Sequence, residues 1–193
     1  MGLASQVKQG LARNAIEKGF SSRILYITPD NMSSFENELS SLLCYYHQKG
    51  RLAWSNIKLY TLEKHFTGVT GDIVFNDAGF ISCEWPLYAK NSEEINIWGG
   101  MKADLLYLNN NEDTIALIEN KIGSAYTLGN TQIDRYFKYL QKLQIKKKVF
   151  ILLTSIELIQ NNWYLKEIKE SRQVTTNIEV YITYWEDILQ NLK

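Results

Sequence analysis

The sequence contains very little cysteine, histidine or proline. Of 193 residues, two are cysteine, two are histidine and two are proline. Two cysteines cannot build a disulfide framework, so we expect a reducing, cytoplasmic environment. No CxxC or HExxH spacing is present, so the sequence predicts no zinc site. No Pro/Gly-rich linker divides the chain, and we predict one domain over residues 1–193.

Long apolar runs and net charge are also lacking. No window approaches the ~18 apolar residues of a membrane span, and the N-terminus has no apolar signal segment, so we expect no membrane association. Lys plus Arg number 21 and Asp plus Glu number 21, which gives a formal net charge of zero. This balance argues against a strongly basic nucleic-acid-binding domain but leaves local basic patches open.

The first half of the chain is only partly readable. Helical spacing of apolar residues predicts a helix over residues 3–16, and a short strand is predicted over 23–28. A second helix should begin near Ser33, and Gly50 lies past its end. Residues 51–98 form a poorly readable, β-rich stretch, in which we predict strands at 73–75 and 80–85 around the turn 76–79.

The second half alternates between helical and strand-like patterns, which is typical of an α/β protein with a mixed sheet. The apolar run at 149–153 is typical of a strand that is covered on both faces. Thr131 and Asp134 have the spacing of a capping box at the start of a helix. The predicted strands are residues 103–108, 114–121, 149–153 and 178–184, and the predicted helices are residues 131–144 and 185–192.

The strand at 114–121 is apolar until it ends in Glu119, Asn120 and Lys121. Because side chains alternate along a strand, Glu119 and Lys121 share one face and Asn120 points to the other. If the turn is symmetric about Asn111 and Glu112, Asp104 lies directly opposite Glu119. Cross-strand partners have Cβ atoms about 4.5–5.5 Å apart, so the spacing predicts two adjacent carboxylates.

Two carboxylates this close repel each other unless a positive charge joins them. Mg²⁺ or Mn²⁺, bound by Asp104 and Glu119, would supply that charge, lower the pKa of a bound water and polarise a phosphate. Lys121 on the same face can orient the water, deprotonate it or donate to a phosphate oxygen. The residue types therefore indicate phosphodiester hydrolysis.

The string GMKAD at residues 100–104, followed by IENK at 118–121, resembles the paired signature of the PD-(D/E)XK nuclease superfamily. Gln132 and Tyr136 add similarity to a branch that has an IENK strand and a downstream QxxxY helix. The resemblance implies a restriction-endonuclease-like αβββαβ core, with a mixed central sheet flanked by helices. It also implies dependence on a divalent metal and nucleic acid as substrate. Ala103 stands where the family often has proline, which is not a metal ligand.

The resemblance implies further site residues. Family members add an acidic residue from the first core helix, and the family-like pattern maps it to Glu36, as a third metal ligand. Glu38 remains an alternative, and Glu36 has capping-box spacing with Ser33. Gln132 is expected to contact phosphate or the attacking water, with Tyr136 either beside it or in the core. Together with Lys102, these two residues form the predicted substrate contacts.

The sequence thus predicts a metal-dependent nuclease that acts on DNA. Two alternatives remain: a degenerate nuclease fold that binds nucleic acid or protein, and an effector subunit of a restriction or phage-defence assembly. Many proteins of this fold act as dimers, so a homodimer or a protein partner is also open.

Overall fold

A mixed seven-stranded sheet lies at the centre of the computed structural model, which describes residues 36–62, 68–122, 131–159, 163–175 and 177–192. In these ranges the strand order is β2-β1-β7-β6-β5-β4-β3. The neighbours β5, β6 and β7 are parallel, and the other pairs are antiparallel. The strands are β1 (Lys58–Thr61), β2 (Gly68–Thr70), β3 (Phe80–Pro86), β4 (Lys102–Leu108), β5 (Thr114–Lys121), β6 (Lys147–Thr154) and β7 (Glu179–Tyr184).

Helices cover both faces of this sheet, which gives the α/β architecture predicted from the sequence. Helices α1 and α6 pack on one face through a core that includes Leu42 and Trp185. Helices α3 and α5 pack on the other face through Phe137 and Ile168. The helices are α1 (Glu36–Gln48), α2 (Ser92–Trp98), α3 (Gln132–Lys142), α4 (Ile156–Ile159), α5 (Trp163–Val174) and α6 (Trp185–Gln190). None of the helices described has the length and apolar character needed to cross a membrane.

The two central strands explain why the predictions for the second half are confirmed. Every residue of β5 except Lys121 is buried, and so is every residue of β6 except Lys147. A strand covered on both faces needs a continuous apolar sequence, which is the pattern that marked β6. The strands β4 and β7 and the helices α3 and α6 also agree with the sequence predictions to within two residues at each end.

The β4–β5 hairpin positions the residues that matter most for function. Leu105 pairs with Ile118 and Leu108 pairs with Ile115, so the hairpin is centred between Asn111 and Glu112, as predicted. Glu112 has φ of 54°, a left-handed conformation that closes the turn. Continued by one residue beyond Leu105 and Ile118, this register puts Asp104 opposite Glu119.

Some predictions for residues 71–98 are wrong. Residues 73–75 are not a strand, since a 3-10 turn covers Gly71–Ile73 and Phe75 packs on Trp54 and Tyr107. Gly71 lies so close to the Trp54 carbonyl that no Cβ would fit, so this position in the turn requires glycine. The strand predicted at 80–85 is confirmed as β3.

Other features were missed or lie elsewhere. Short strands β1 and β2 and helices α2, α4 and α5 were not predicted. The Thr131 side chain makes no capping hydrogen bond, so the predicted capping box is wrong. The helix predicted at 3–16, the strand at 23–28 and Ser33 lie outside the described residues. Gly50, with φ of 65°, follows the end of α1 as predicted.

Candidate active site

The open end of the β4–β5 hairpin brings Asp104 and Glu119 together. The register that pairs Leu105 with Ile118 places the two acidic residues opposite each other on adjacent antiparallel strands. The Asp104 carboxylate replaces a backbone acceptor here, since its Oδ2 accepts a hydrogen bond from the Asn120 amide at 2.7 Å. The predicted pairing of these strands is therefore confirmed.

Glu119 is held in place from two sides. Its residue is only 1% exposed, although a carboxylate in the interior needs partners to offset lost hydration. The Tyr136 hydroxyl of α3 donates to Oε2 at 2.7 Å, and the Lys121 ammonium lies 2.7 Å from Oε1. The ion pair with Lys121 is therefore the contact that offsets the burial of Oε1.

Lys121 joins two carboxylates rather than one. Its ammonium nitrogen is 2.7 Å from Glu119 and 3.3 Å from Glu36 Oε2. Burial alone would lower the pKa of Lys121, but the negative charges of Glu119, Glu36 and Asp104 outweigh burial and raise it. Lys121 is consequently a cation at neutral pH in this arrangement, which favours a role as donor to phosphate over a role as general base.

Glu36 reaches the site from the start of α1. Its Oε1 accepts a hydrogen bond from the Ile122 amide at 3.2 Å, just past the end of β5, and its Oε2 contacts Lys121. Burial raises the pKa of Glu36, and the Lys121 charge partly opposes this shift. Of the two acidic residues left open by the sequence, Glu36 is the one that the structure brings to the Glu119 cluster.

Three carboxyl groups, those of Glu36, Asp104 and Glu119, lie around one ammonium, that of Lys121. Burial raises the pKa of Asp104 to about 8, and the Glu119 charge adds to this shift. A carboxyl that resists ionisation for these reasons would be stabilised as a carboxylate by a further cation. The local charge therefore fits a divalent metal ion.

The side chains that could hold a metal ion are few. Within the described ranges, no three side chains of His, Cys, Asp or Glu are arranged to enclose a metal. Mg²⁺ usually keeps several waters and is bound through one or two carboxylates plus substrate phosphates. The carboxylates of Asp104 and Glu119 match that ligand type, and metal binding by them, with Glu36 as a third ligand, stays a prediction.

A buried polar network behind the site was missed from the sequence. Asn120 is fully buried, and its Nδ2 donates to Ser40 Oγ at 3.1 Å and to the Glu36 carbonyl oxygen at 3.2 Å. The Trp185 indole donates to Asn120 Oδ1 at 2.9 Å. These bonds tie α1 and α6 to β5, and they fix the backbone position of Glu36. The alternation that sends Asn120 to the other face was the only sequence signal for it.

The residues predicted to contact substrate fall into two groups. Gln132 donates to the Tyr136 hydroxyl at 2.9 Å, and the Tyr136 ring lies in the core beside Phe150. Tyr136 therefore positions Glu119 from the interior, and contact with substrate stays a prediction for it and for Gln132. Lys102 is exposed and pairs with Glu84 at 3.3 Å.

Two further acidic residues, Asp77 and Glu84, form no comparable cluster in the described structure. Asp77 accepts hydrogen bonds from the backbone and hydroxyl of Ser55 and so holds a loop. Glu84 is opposite Asp104 in the β3–β4 register and has an unusual φ of 51°. Comparisons of the chain with family models, with curated proteins and with solved structures found no match.

Proposed function

We propose that the protein is a divalent-metal-dependent nuclease with DNA as its substrate, built on a restriction-endonuclease-like core of the PD-(D/E)XK kind. The observation that carries the proposal is the convergence of Asp104, Glu119 and Glu36 on Lys121. A structural ion pair needs one carboxylate for each ammonium, and here three carboxyl groups lie around the Lys121 ammonium. Adjacent carboxylates repel each other, and a bound cation would offset that repulsion.

Asp104 and Glu119 would hold Mg²⁺ or Mn²⁺, which supplies an activated water and relieves negative charge on the phosphate. Tyr136 keeps the Glu119 carboxylate in one orientation, because its hydroxyl donates to Oε2. Lys121 is cationic and can donate to a phosphate oxygen as charge builds on it in the transition state. Glu36 keeps the ammonium directed toward Glu119.

Incubation with supercoiled, linear and single-stranded DNA, and with RNA, in Mg²⁺, Mn²⁺ or EDTA tests the proposal. We expect cleavage of DNA in the presence of metal and none in EDTA. Asp104→Asn should abolish both metal binding and cleavage. Asp113→Asn is the matched control, since Asp113 lies at the other end of the same hairpin and should keep wild-type activity. No cleavage of any substrate by the wild type in either metal would refute the nuclease.

A binding module on a degenerate nuclease fold is the second candidate. What favours it is the contact of Lys121 with two carboxylates, because an ammonium so engaged is less available to a phosphate. Titration with Mn²⁺, followed by calorimetry, separates the candidates: the nuclease binds metal through Asp104, whereas the binding module binds nucleic acid without metal. Gel filtration with candidate partners addresses an effector subunit of a larger assembly.

A further inference from the structure

Exposed aromatic side chains are concentrated beside the candidate active site. Among the side chains that the structure describes, three large aromatic residues are exposed: Phe80 at 51%, Trp85 at 36% and Tyr88 at 73%. All three belong to β3 or to the segment directly after it. The other described aromatic rings are buried or half-buried, so this set, here called the aromatic patch, departs from the rest of the chain.

The backbone of β3 bends so that two of these rings meet. Phe80 and Trp85 are five residues apart, which in a straight strand means roughly 16 Å and opposite faces. Their ring centroids are nevertheless 6.0 Å apart in an edge-to-face contact. Glu84, between them, has φ of 51°. The β3–β4 pairing stays one-to-one across Glu84, so the left-handed conformation re-aims the Trp85 side chain without an inserted residue. Such unusual backbone conformations are frequent at functional sites.

The register places one residue of the aromatic patch, Trp85, beside the end of β4 that carries Asp104. Trp85 pairs with Ala103, the residue before Asp104, and Pro86 pairs with Lys102. Lys102 is 56% exposed, and its only described ion pair is the surface contact with Glu84, a type of pair that contributes little to stability. The surface next to Asp104 therefore combines aromatic rings with an ammonium that a phosphate can recruit.

We propose that the aromatic patch binds single-stranded DNA by base stacking, with Lys102 on the phosphate backbone, and so feeds unpaired strands to the Asp104–Glu119 site. This inference rests on the proposed nuclease function for its last step only. Aromatic rings combined with basic side chains are how proteins hold single strands of any sequence. Bases in a duplex are already stacked on each other, so exposed rings favour unpaired DNA over duplex.

Fluorescence anisotropy with a labelled single-stranded DNA of mixed sequence, in EDTA, tests the patch apart from any cleavage. Trp85→Ala combined with Tyr88→Ala should weaken binding by at least about tenfold, because each stacked base contributes strongly to affinity. Trp85→Phe combined with Tyr88→Phe keeps both rings and should retain most of the affinity. Ile73→Ala removes an apolar side chain that is 41% exposed and does not belong to the patch, and this variant should bind as the wild type does.

Several outcomes would refute single-strand binding by the aromatic patch. They are duplex binding as tight as single-strand binding, tighter binding of RNA of the same sequence, and unchanged affinity in the alanine variant. A change of oligomeric state in that variant, seen by sedimentation and without loss of DNA binding, would make the patch a contact between copies. A wild type that binds single strands in EDTA but cleaves nothing in Mg²⁺ would refute the nuclease and leave the patch standing.

Discussion

The β4–β5 hairpin carries an aspartate at each end, and the two differ in almost every physical respect. At the turn, Asp113 accepts hydrogen bonds from the Asn109 amide and the Thr114 hydroxyl, which lower its pKa. At the open end, burial and the charge of Glu119 raise the pKa of Asp104 to about 8. The turn surrounds a carboxylate with donors, whereas the open end gathers carboxylates around a single ammonium.

This contrast separates a structural aspartate from a candidate functional one. Asn109 also accepts hydrogen bonds from the amides of Asp113 and Thr114, so polar groups at the turn satisfy one another. At the open end the arrangement opposes the charge of Asp104, and nothing about the hairpin fold requires this. Groups with strongly perturbed pKa values are concentrated at functional sites. The raised pKa of Asp104 therefore supports a functional role for this residue more strongly than its residue type alone does.

The largest difference is expected between replacement of Lys121, at the open end, and replacement of Lys146, near the turn. Lys121→Ala should slow cleavage by about 10²–10⁴-fold, the usual size of a general-acid, general-base or electrostatic contribution. It should also lower the free energy of unfolding by about 3 kcal/mol, because Glu119 and Glu36 lose the cation that pairs with them. Activity assays and urea denaturation in EDTA measure the two effects.

Lys146→Ala is the control at the turn, where Lys146 acts on Asp113 through charge alone. Its effect on cleavage should be negligible, and its effect on unfolding should be small. Equal losses in the two lysine variants would show that the open end is no more specialised than the turn. Cleavage by Lys121→Ala at the wild-type rate would remove Lys121 from the proposed chemistry.

The open end was largely predictable from the sequence because its residues obey local rules. Alternation puts Glu119 and Lys121 on one face, and the symmetry of the turn puts Asp104 opposite Glu119. Both rules act within one hairpin, so they need no knowledge of the rest of the chain. The strand β6 was predictable for a similar reason, since an apolar run reports burial directly.

The remainder depends on contacts between distant residues. Trp185 meets Asn120 across 65 positions of sequence, and no periodicity reports such a contact. The pKa of Lys121 is raised by the charges of Glu119, Glu36 and Asp104 together. Glu36 belongs to α1, far away in the sequence, so local patterns do not report its contribution. The turn at Gly71 was missed because Gly71 packs against the carbonyl of Trp54, a contact that no local pattern reports.

The two asparagines of the hairpin should also differ, by a smaller amount. Asn120→Ala leaves the Trp185 indole buried without its acceptor, which should cost about 1–3 kcal/mol, whereas the Ser40 hydroxyl keeps its bond to the Glu36 carbonyl oxygen. Asn109→Ala lies at the turn, where water can replace lost bonds, so we expect a loss of about 1 kcal/mol. Chemical denaturation measures both, and a greater loss for Asn109→Ala would contradict the network behind the site.

The last contrast concerns pH, where the two aspartates should act on stability with opposite signs. The folded protein holds a proton on Asp104 up to a pKa of about 8, whereas the unfolded chain releases it near the ordinary value of 3.8. Stability contributed by protonated Asp104 is thus lost as pH rises between these values. Asp104→Asn has no such charge, so in EDTA its Tm should exceed that of the wild type at about pH 9, by roughly 2–4 °C for each kcal/mol recovered.

The pKa of Asp113 is lowered instead, so the stability that ionised Asp113 contributes is present above the ordinary pKa of an aspartate and is lost as pH falls. Asp113→Asn should therefore lower the Tm at neutral pH. Calorimetry from about pH 4 to pH 9 measures both slopes. Added Mg²⁺ should raise the wild-type Tm at the alkaline end and leave that of Asp104→Asn unchanged. Parallel pH profiles in the two variants would show that Asp104 is an ordinary surface carboxylate.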